Sequence, residues 1–212
     1  ILKSRSLVER TLEELPFQME YYFKTIKNQL PIYPEKPLTI ISESEIPLPL
    51  DTEFSIILLD NNMFTIGSES GYFPLNKSAS FGDAIEISPE RNITIFLNED
   101  WVNKNKDRIQ HFKNKLYFRI HSPNSLISSF TRRLNVERVN KDGSILRITM
   151  KGTNKIRDVD FLNKHVEGFQ SISLDRKNSE AERRIEFIDD QLVGISDSLL
   201  ITENKLQQFR SS

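Results

Sequence analysis

The sequence predicts an α+β protein, with a mixed or antiparallel sheet, packed helices, a β-rich insertion and a long protruding C-terminal helix. Short segments in which apolar and polar residues alternate have the period of strands, and capped segments with helical periodicity lie between them. From Lys155 to Arg210 apolar residues recur at helical spacing. We expect an α+β body over residues 1–170, with the insertion at about 38–97, and an extended coiled-coil-like helix over residues 171–212.

The chain begins with a helical pattern that leads into a strand. One helical face of the first segment is apolar, with Ile1, Val8, Leu12 and Leu15. Pro16 ends this helix, because a proline disfavours helical geometry at the residue before it. The following residues alternate, with Phe17, Met19, Tyr21 and Phe23 on one side. This period of two predicts a half-buried strand.

The region up to residue 97 is rich in short strand signals. Strands are predicted at Leu38–Ile41, Phe54–Leu59, Met63–Ile66, Ala84–Ile87 and Ile93–Leu97. Asp60, Asn61 and Asn62 form a hairpin turn between the second and third, since Asn and Asp tolerate left-handed backbone angles. These strands predict a β-layer built into the domain.

Helix and strand signals alternate in the next part of the chain. Trp101–Phe112 is predicted to be helical or irregular, and Leu116–Ile120 to be a strand. Ser122 and Pro123 are typical of a helix N-cap and first turn, and the face that follows comprises Leu126, Ile127, Phe130 and Leu134. A hairpin then joins Val136–Val139 to Ile145–Met150 through the turn Asn140–Gly143.

Two apolar patterns divide the long helix. Its first part has a broad apolar face suited to packing on a sheet, formed by Ile156, Val159, Leu162, Val166 and Phe169. The later part has a heptad seam, in which only Thr202 is polar, formed by Ile185, Ile188, Leu192, Ile195, Leu199, Leu206 and Phe209. We expect the helix to leave the body at the polar segment around Ser171–Lys177. The seam is our candidate oligomer or helix-packing interface.

Composition excludes several classes of function. The formal net charge is −1 with both signs interspersed, so the sequence shows no basic footprint for nucleic acid or for an anionic membrane. Cysteine is absent, which excludes disulfides, thiol catalysis and Cys-based zinc sites. No apolar run approaches the length of a membrane span. Both ends of the sequence look truncated, however. We therefore expect a soluble piece of a longer protein.

No catalytic, cofactor or metal motif is evident. His111, His121 and His165 lack metal-ligand spacing and are predicted to be structural or surface residues. Adjacent carboxylates such as Glu99 and Asp100 point in different directions, although carboxylates distant in sequence could meet in the fold. A set of aromatic residues could form a sugar-stacking platform, namely Phe17, Tyr21, Tyr22, Phe23, Tyr33, Tyr72, Phe73 and Trp101. Tyr22 and Trp101 are the ones to examine for exposure. Burial in the core is the favoured interpretation of this aromatic set.

Taken together, the two ends of the chain resemble a known family. Near the start, the residues concerned are Leu2, Lys3, Ser4, Arg5, Ser6, Leu7, Val8, Glu9 and Leu12. At the other end, the strand Ile145–Met150 leads into Asp160, Leu162, Asn163, Phe169, Lys177, Ala181, Phe187, Ile188, Gln191, Leu192, Leu199, Glu203, Leu206, Phe209 and Arg210. This arrangement is similar to that of the Wzz-type polysaccharide co-polymerases and of the periplasmic part of Wzc-type bacterial tyrosine kinases. The resemblance covers about half of the chain.

The resemblance implies a periplasmic domain of a bacterial inner-membrane protein, attached through flanking transmembrane helices absent from this sequence. It implies a homo-oligomer that sets the length of lipopolysaccharide O-antigen, capsule or exopolysaccharide chains and contacts a polymerase or the nascent glycan. Any kinase domain would lie elsewhere in the full-length protein, and this part would not be an enzyme and would need no cofactor.

Two other functions remain open. A periplasmic adaptor or scaffold would use the coil to bridge two membrane machines. A glycan-active enzyme or lectin would use the β-layer, and it would need two facing carboxylates or an exposed aromatic platform in one cleft.

Overall fold

The computed structural model describes residues 2–42, 48–59, 62–68, 70, 73–89, 91–140 and 145–210, without the side chains of residues 200, 205 and 208–210. It confirms the α+β class and the long C-terminal helix. The helices are α1 (Arg5–Glu13), α2 (Glu99–Lys104), α3 (Lys106–His111), α4 (Pro123–Arg133) and α5 (Lys155–Arg210). The strands are β1 (Met19–Lys24), β2 (Gln29–Ile32), β3 (Leu38–Ser42), β4 (Glu53–Leu58), β5 (Met63–Ser68), β6 (Leu75–Ser80), β7 (Ala84–Ser88), β8 (Arg91–Leu97), β9 (Lys115–Ile120), β10 (Leu134–Arg138) and β11 (Leu146–Met150). The chain forms two compact units, Ile1–Val166 and Glu167–Ser212.

The first unit is built on a six-stranded sheet in the order β2-β1-β9-β4-β5-β6. Neighbouring strands are antiparallel throughout. The register places Phe118 of β9 opposite both Tyr21 of β1 and Phe54 of β4, and all three side chains are buried. The rings of Phe54 and Phe118 stack with their centroids 4.9 Å apart. Aromatic contacts across neighbouring strands therefore fix the register at the middle of the sheet.

A three-stranded antiparallel sheet, β3-β8-β7, contributes to the same core. Its buried residues, among them Leu38 and Ile95, form one apolar cluster with the large sheet and with Trp101 of α2 and Ile109 of α3. The predicted β-rich insertion is thus shared between two sheets. β3, β7 and β8 form the small sheet, whereas β4, β5 and β6 extend the large one.

A second apolar core joins helices α1 and α4, the β10–β11 hairpin and the beginning of α5. Phe130 of α4 stacks on Phe17 at a centroid distance of 5.5 Å and lies 4.6 Å from Phe161 of α5. Ser4 and Ser122 cap α1 and α4 by accepting hydrogen bonds from the backbone amides three residues ahead. The predicted N-cap at Ser122 and first-turn proline at position 123 are confirmed.

The predicted hairpins are confirmed as β4–β5 and β10–β11, and β7 pairs with β8 as neighbouring strands. Asn62 has a φ of 60°, which is the left-handed geometry expected of the first turn. Asp60, Asn61 and residues 141–144 of the other turn lie outside the described residues. The segment from Trp101 to Phe112 is helical, as α2 and α3.

The sequence patterns missed two strands and misassigned one face of β1. β2 and β6, which lie at the two ends of the six-stranded order, were not predicted. β1 is not half-buried, because Tyr21, Tyr22 and Phe23 are all buried although their side chains alternate between the two faces. The side chain of Tyr22 is covered by the stacked ring of Tyr117, at 5.7 Å between centroids.

The packing face at the beginning of α5 also differs from the prediction. Ile156 and Val159 are exposed, whereas Asp158, Phe161 and His165 are buried. The buried face is rotated by roughly a quarter of a turn from the predicted one, because it includes two polar residues that find partners. The helix runs without interruption through the polar segment 171–177.

Candidate functional site

The main candidate site is the apolar stripe of α5, which we define as the six seam residues with described side chains: Ile185, Ile188, Leu192, Ile195, Leu199 and Leu206. Each is between 53% and 64% exposed. Phe209 belongs to the predicted seam, but its side chain lies outside the described residues. A row of large exposed apolar side chains is unusual for a solvated helix, and such surfaces are typical of interaction sites.

The spacing of the stripe indicates what kind of partner suits it. A repeat of 3.5 residues drifts by roughly 20° per heptad on a straight α-helix, so the seam stays in register only when two helices supercoil. Thr202 occupies the polar position in the seam, and its hydroxyl donates to the carbonyl oxygen of Ser198 at 2.8 Å. This hydroxyl is satisfied within its own helix and needs no partner across the seam.

Other exposed apolar residues of α5 lie outside the stripe. Phe187, Val193 and Ile201 are exposed to a similar degree, from 54% to 63%. Phe187 and Ile201 are fourteen residues apart and share one heptad position, with Gly194 midway between them. These residues provide matched positions for testing whether the stripe itself, rather than apolar exposure in general, mediates binding.

His165 is a structural histidine, as predicted, and it is fully buried. Its Nε2 lies 2.7 Å from the carbonyl oxygen of Leu2, and its Nδ1 lies 3.0 Å from the hydroxyl oxygen of Thr11. Burial lowers the pKa of His165 below its ordinary value, although the Leu2 carbonyl opposes this shift by accepting a hydrogen bond. The residue joins the beginning of the chain and α1 to α5.

Two carboxylates that are distant in sequence meet around His121, in a cleft of about 530 Å³. Glu20 Oε2 lies 2.7 Å from Nε2 of His121, and Asp51 Oδ1 lies 3.7 Å from its Nδ1. Arg157 pairs with the other oxygen of Glu20. No local sequence pattern indicates this cluster, because β1, the segment before β4 and the end of β9 become neighbours only through long-range sheet pairing.

The electrostatics of this cleft favour a fixed ion network. Burial by itself would raise the pKa of Glu20. The hydrogen bond with His121 and the charge of Arg157 outweigh burial, so the pKa of Glu20 lies below its ordinary value. Hydrogen bonds from Ser122 likewise outweigh burial and lower the pKa of Asp51. A general acid needs a raised pKa to hold its proton near neutral pH, so neither carboxylate is tuned for proton donation.

The candidate aromatic platform is not exposed. Tyr22 and Trp101, the two residues singled out for exposure, are both buried. The hydroxyl of Tyr22 donates to Glu53 at 2.7 Å, and Glu53 also accepts from Lys24 at 2.6 Å. The aromatic residues of β1 therefore stabilise the fold, as the favoured interpretation predicted. Tyr72 lies outside the described residues.

The described residues contain no group of three histidine or acidic side chains placed to hold a metal ion. Over the same ranges, none of the helices has an apolar stretch long enough to cross a bilayer. Comparison with models of known protein families finds no match to this chain.

Proposed function

We propose that this chain is the periplasmic domain of an inner-membrane polysaccharide co-polymerase. It would regulate the length of capsular, O-antigen or exopolysaccharide chains through homo-oligomeric assembly and through contact with the polymerase or the nascent glycan. The domain itself would perform no catalysis. Membrane segments and any tyrosine kinase domain would belong to other parts of the full-length protein.

The exposed stripe of α5 carries this proposal. Burying six large aliphatic side chains that are now more than half exposed would stabilise an assembly by several kcal/mol, at about 25 cal/mol for each Å² removed from water. A heptad stripe is best covered by another helix with the same repeat. A second copy of this chain carries such a helix.

The charges at the beginning of the stripe favour a second copy of the same helix. Arg184 precedes the first stripe residue and Asp189 follows the second, which places them at the g and e positions of the heptad. In a parallel pair aligned in register, these positions face each other across the interface. Arg184 of each copy would therefore attract Asp189 of the other copy.

The order of elements supports the resemblance noted at both chain ends. The capped helix α1 includes Arg5 to Glu9 of the similar N-terminal segment. Strand β11 leads through a four-residue connection, Lys151 to Asn154, into α5. This strand-to-helix order is the one that the resemblance requires of the C-terminal part.

A periplasmic adaptor is the alternative function, and the length of α5 favours it. With 56 residues the helix extends over roughly 84 Å, which is long enough for a bridging arm. An adaptor would bind a helix of a different protein along the stripe and would not alter glycan length.

The length distribution of surface polysaccharide tests the proposed function. We expect a preferred length in cells with the intact gene and its loss on deletion. Ile188→Asp combined with Leu192→Asp should reproduce the deletion, because two charges would be buried in the seam. Phe187→Asp combined with Val193→Asp adds the same charge outside the stripe. A gene with this pair of substitutions should restore the preferred length to cells that lack the original gene.

Gel electrophoresis of the extracted polysaccharide gives the readout. An unchanged distribution on deletion of the gene would contradict the co-polymerase function and would favour the adaptor.

A further inference from the structure

The turn between β1 and β2 presents a single large apolar side chain to solvent. Ile26 is fully exposed at its tip. The turn is closed by the amide of Thr25, which donates to the carbonyl of Asn28 at 2.8 Å, and by the amide of Asn28, which donates to the Thr25 hydroxyl at 2.9 Å. These hydrogen bonds hold the tip in a defined shape, so Ile26 is displayed on a fixed turn.

Four lysines surround this turn. Lys24, Lys27, Lys113 and Lys115 all line one open recess of about 960 Å³, and no carboxylate is among the described residues that line it. Lys24 additionally pairs with Glu53 from the side of the sheet at 2.6 Å. We call these four lysines and Ile26 the basic turn patch.

The recess beneath the patch has a partly apolar floor. Ile57, Phe112 and Tyr117 line it, and the ammonium groups of Lys24 and Lys115 lie 5.4 Å and 5.1 Å from the centre of the Tyr117 ring. The loop that carries Lys113 is fixed, because the amide of Lys113 donates to Gln110 at 2.9 Å. The neighbouring Asn114 accepts from the amide of Leu58 at 2.9 Å.

Sheet pairing creates this concentration of charge. The four lysines come from two segments about ninety residues apart, and they meet because β1 and β9 are antiparallel neighbours, with Tyr22 opposite Tyr117. The chain as a whole has a formal charge of −1. The net charge gave no indication of this local concentration, since composition averages over a surface that the fold makes unequal.

We propose that the basic turn patch binds the surface of an anionic lipid bilayer. The lysines would contact lipid phosphate groups, and Ile26 would enter the boundary between headgroups and acyl chains. Clusters of lysine beside exposed apolar residues bind such surfaces through the sum of both contributions. The inference uses no residue of the α5 stripe, so it does not depend on the proposed function.

The exposed isoleucine favours a bilayer over a soluble polyanion. An acidic polymer would be held by the four ammonium groups alone, because lysine acts as a point charge towards oxyanions. Such a ligand would leave Ile26 in water. A bilayer interface satisfies the charges and also removes the apolar tip from water.

Sedimentation of the 212-residue chain with lipid vesicles tests the proposal. We expect binding to vesicles of phosphatidylcholine mixed with phosphatidylglycerol, weakening as salt is added, and little binding to phosphatidylcholine alone. Lys27→Gln combined with Lys113→Gln should reduce partitioning roughly 25-fold, since each lysine near an anionic surface contributes about a fivefold factor. Ile26→Ser should reduce it severalfold and should leave the dependence on salt unchanged.

Matched variants control for loss of charge and of apolar surface elsewhere. Lys104→Gln combined with Lys106→Gln, and separately Ile145→Ser, change exposed residues that do not line the recess, and both should bind as the unchanged protein does. Absence of binding to anionic vesicles, or equal losses in the control variants, would overturn the proposal. Binding to soluble polygalacturonate that needs the lysines but not Ile26, without vesicle binding, would replace the bilayer by an acidic polymer.

Discussion

At the scale of single residues, buried polar groups determine how α5 begins. His165 and Asp158 occupy the packed face because each has a partner, respectively the Leu2 carbonyl and Nη1 of Arg133 at 3.1 Å. A hydrophobicity pattern counts such residues as exposed, and so it placed the packed face at Ile156 and Val159. Phe161, which lies between Asp158 and His165 in the sequence, is the apolar residue of the face that is actually buried.

The stability of the first unit should depend on pH through His165. Its pKa is lowered by burial in the folded state, so the unfolded chain binds more protons below its ordinary pKa of about 6.5. The contribution of His165 to the free energy of unfolding is therefore complete above that pH. It is lost as the pH falls, by at most about 1.4 kcal/mol per pH unit. Urea unfolding at a series of pH values would measure the loss.

A variant separates this contribution from that of the carboxylates. His165→Gln keeps a group that can hydrogen-bond but does not titrate, so its stability should decline less than that of the unchanged chain between pH 7 and pH 5. Identical pH profiles for the two proteins would show that His165 does not titrate on unfolding in this range.

At the scale of elements, the sequence predicted the strands that alternate and missed the two at the edges of the six-stranded sheet. β2 contains Pro31, which lacks an amide proton, and it pairs with β1 at the end of the described order. An edge strand tolerates this loss, because one of its sides makes no ladder hydrogen bonds. β6 is largely polar for a related reason, since an edge strand benefits from polar residues that discourage further pairing. Neither pattern resembles that of a central strand.

The connection between β11 and α5 depends on Gly152. A β-carbon there would lie 2.6 Å from Nη1 of Arg133 and would overlap the carboxylate of Asp158. We expect Gly152→Ala to separate this ion pair, in which Asp158 is buried, and to destabilise the first unit by about 1–3 kcal/mol. The change in urea midpoint measures the effect.

Gly194 provides the matched control for that substitution. Apart from its chain neighbours and the backbone of its own helix, no described atom lies within 4 Å of the position where its β-carbon would be, and it sits in the interior of α5. Gly194→Ala should raise helix stability by about 1 kcal/mol, because glycine is the poorer helix former. If Gly152→Ala proved as harmless as Gly194→Ala, the packing described around Asp158 would be incorrect.

At the scale of the whole molecule, both proposals rest on surfaces, namely the stripe of α5 and the basic turn patch. The seam of α5 was predictable from sequence because a heptad repeat is local and needs only one helix. The His121 cluster and the basic turn patch were not, since each depends on the pairing of β1 with β9 over about one hundred residues. The sheet order itself is long-range information that alternation within a strand does not contain.

The assembly of the chain through α5 is the central claim, and the mass of the 212-residue chain in solution tests it most directly. Light scattering at increasing concentration should give a mass above the 24.7 kDa of one chain. Ile188→Asp with Leu192→Asp should return the mass towards that value with the first unit still folded, whereas Phe187→Asp with Val193→Asp should leave the assembly intact. A mass of one chain at every concentration, or equal effects of the two pairs of substitutions, would contradict the claim.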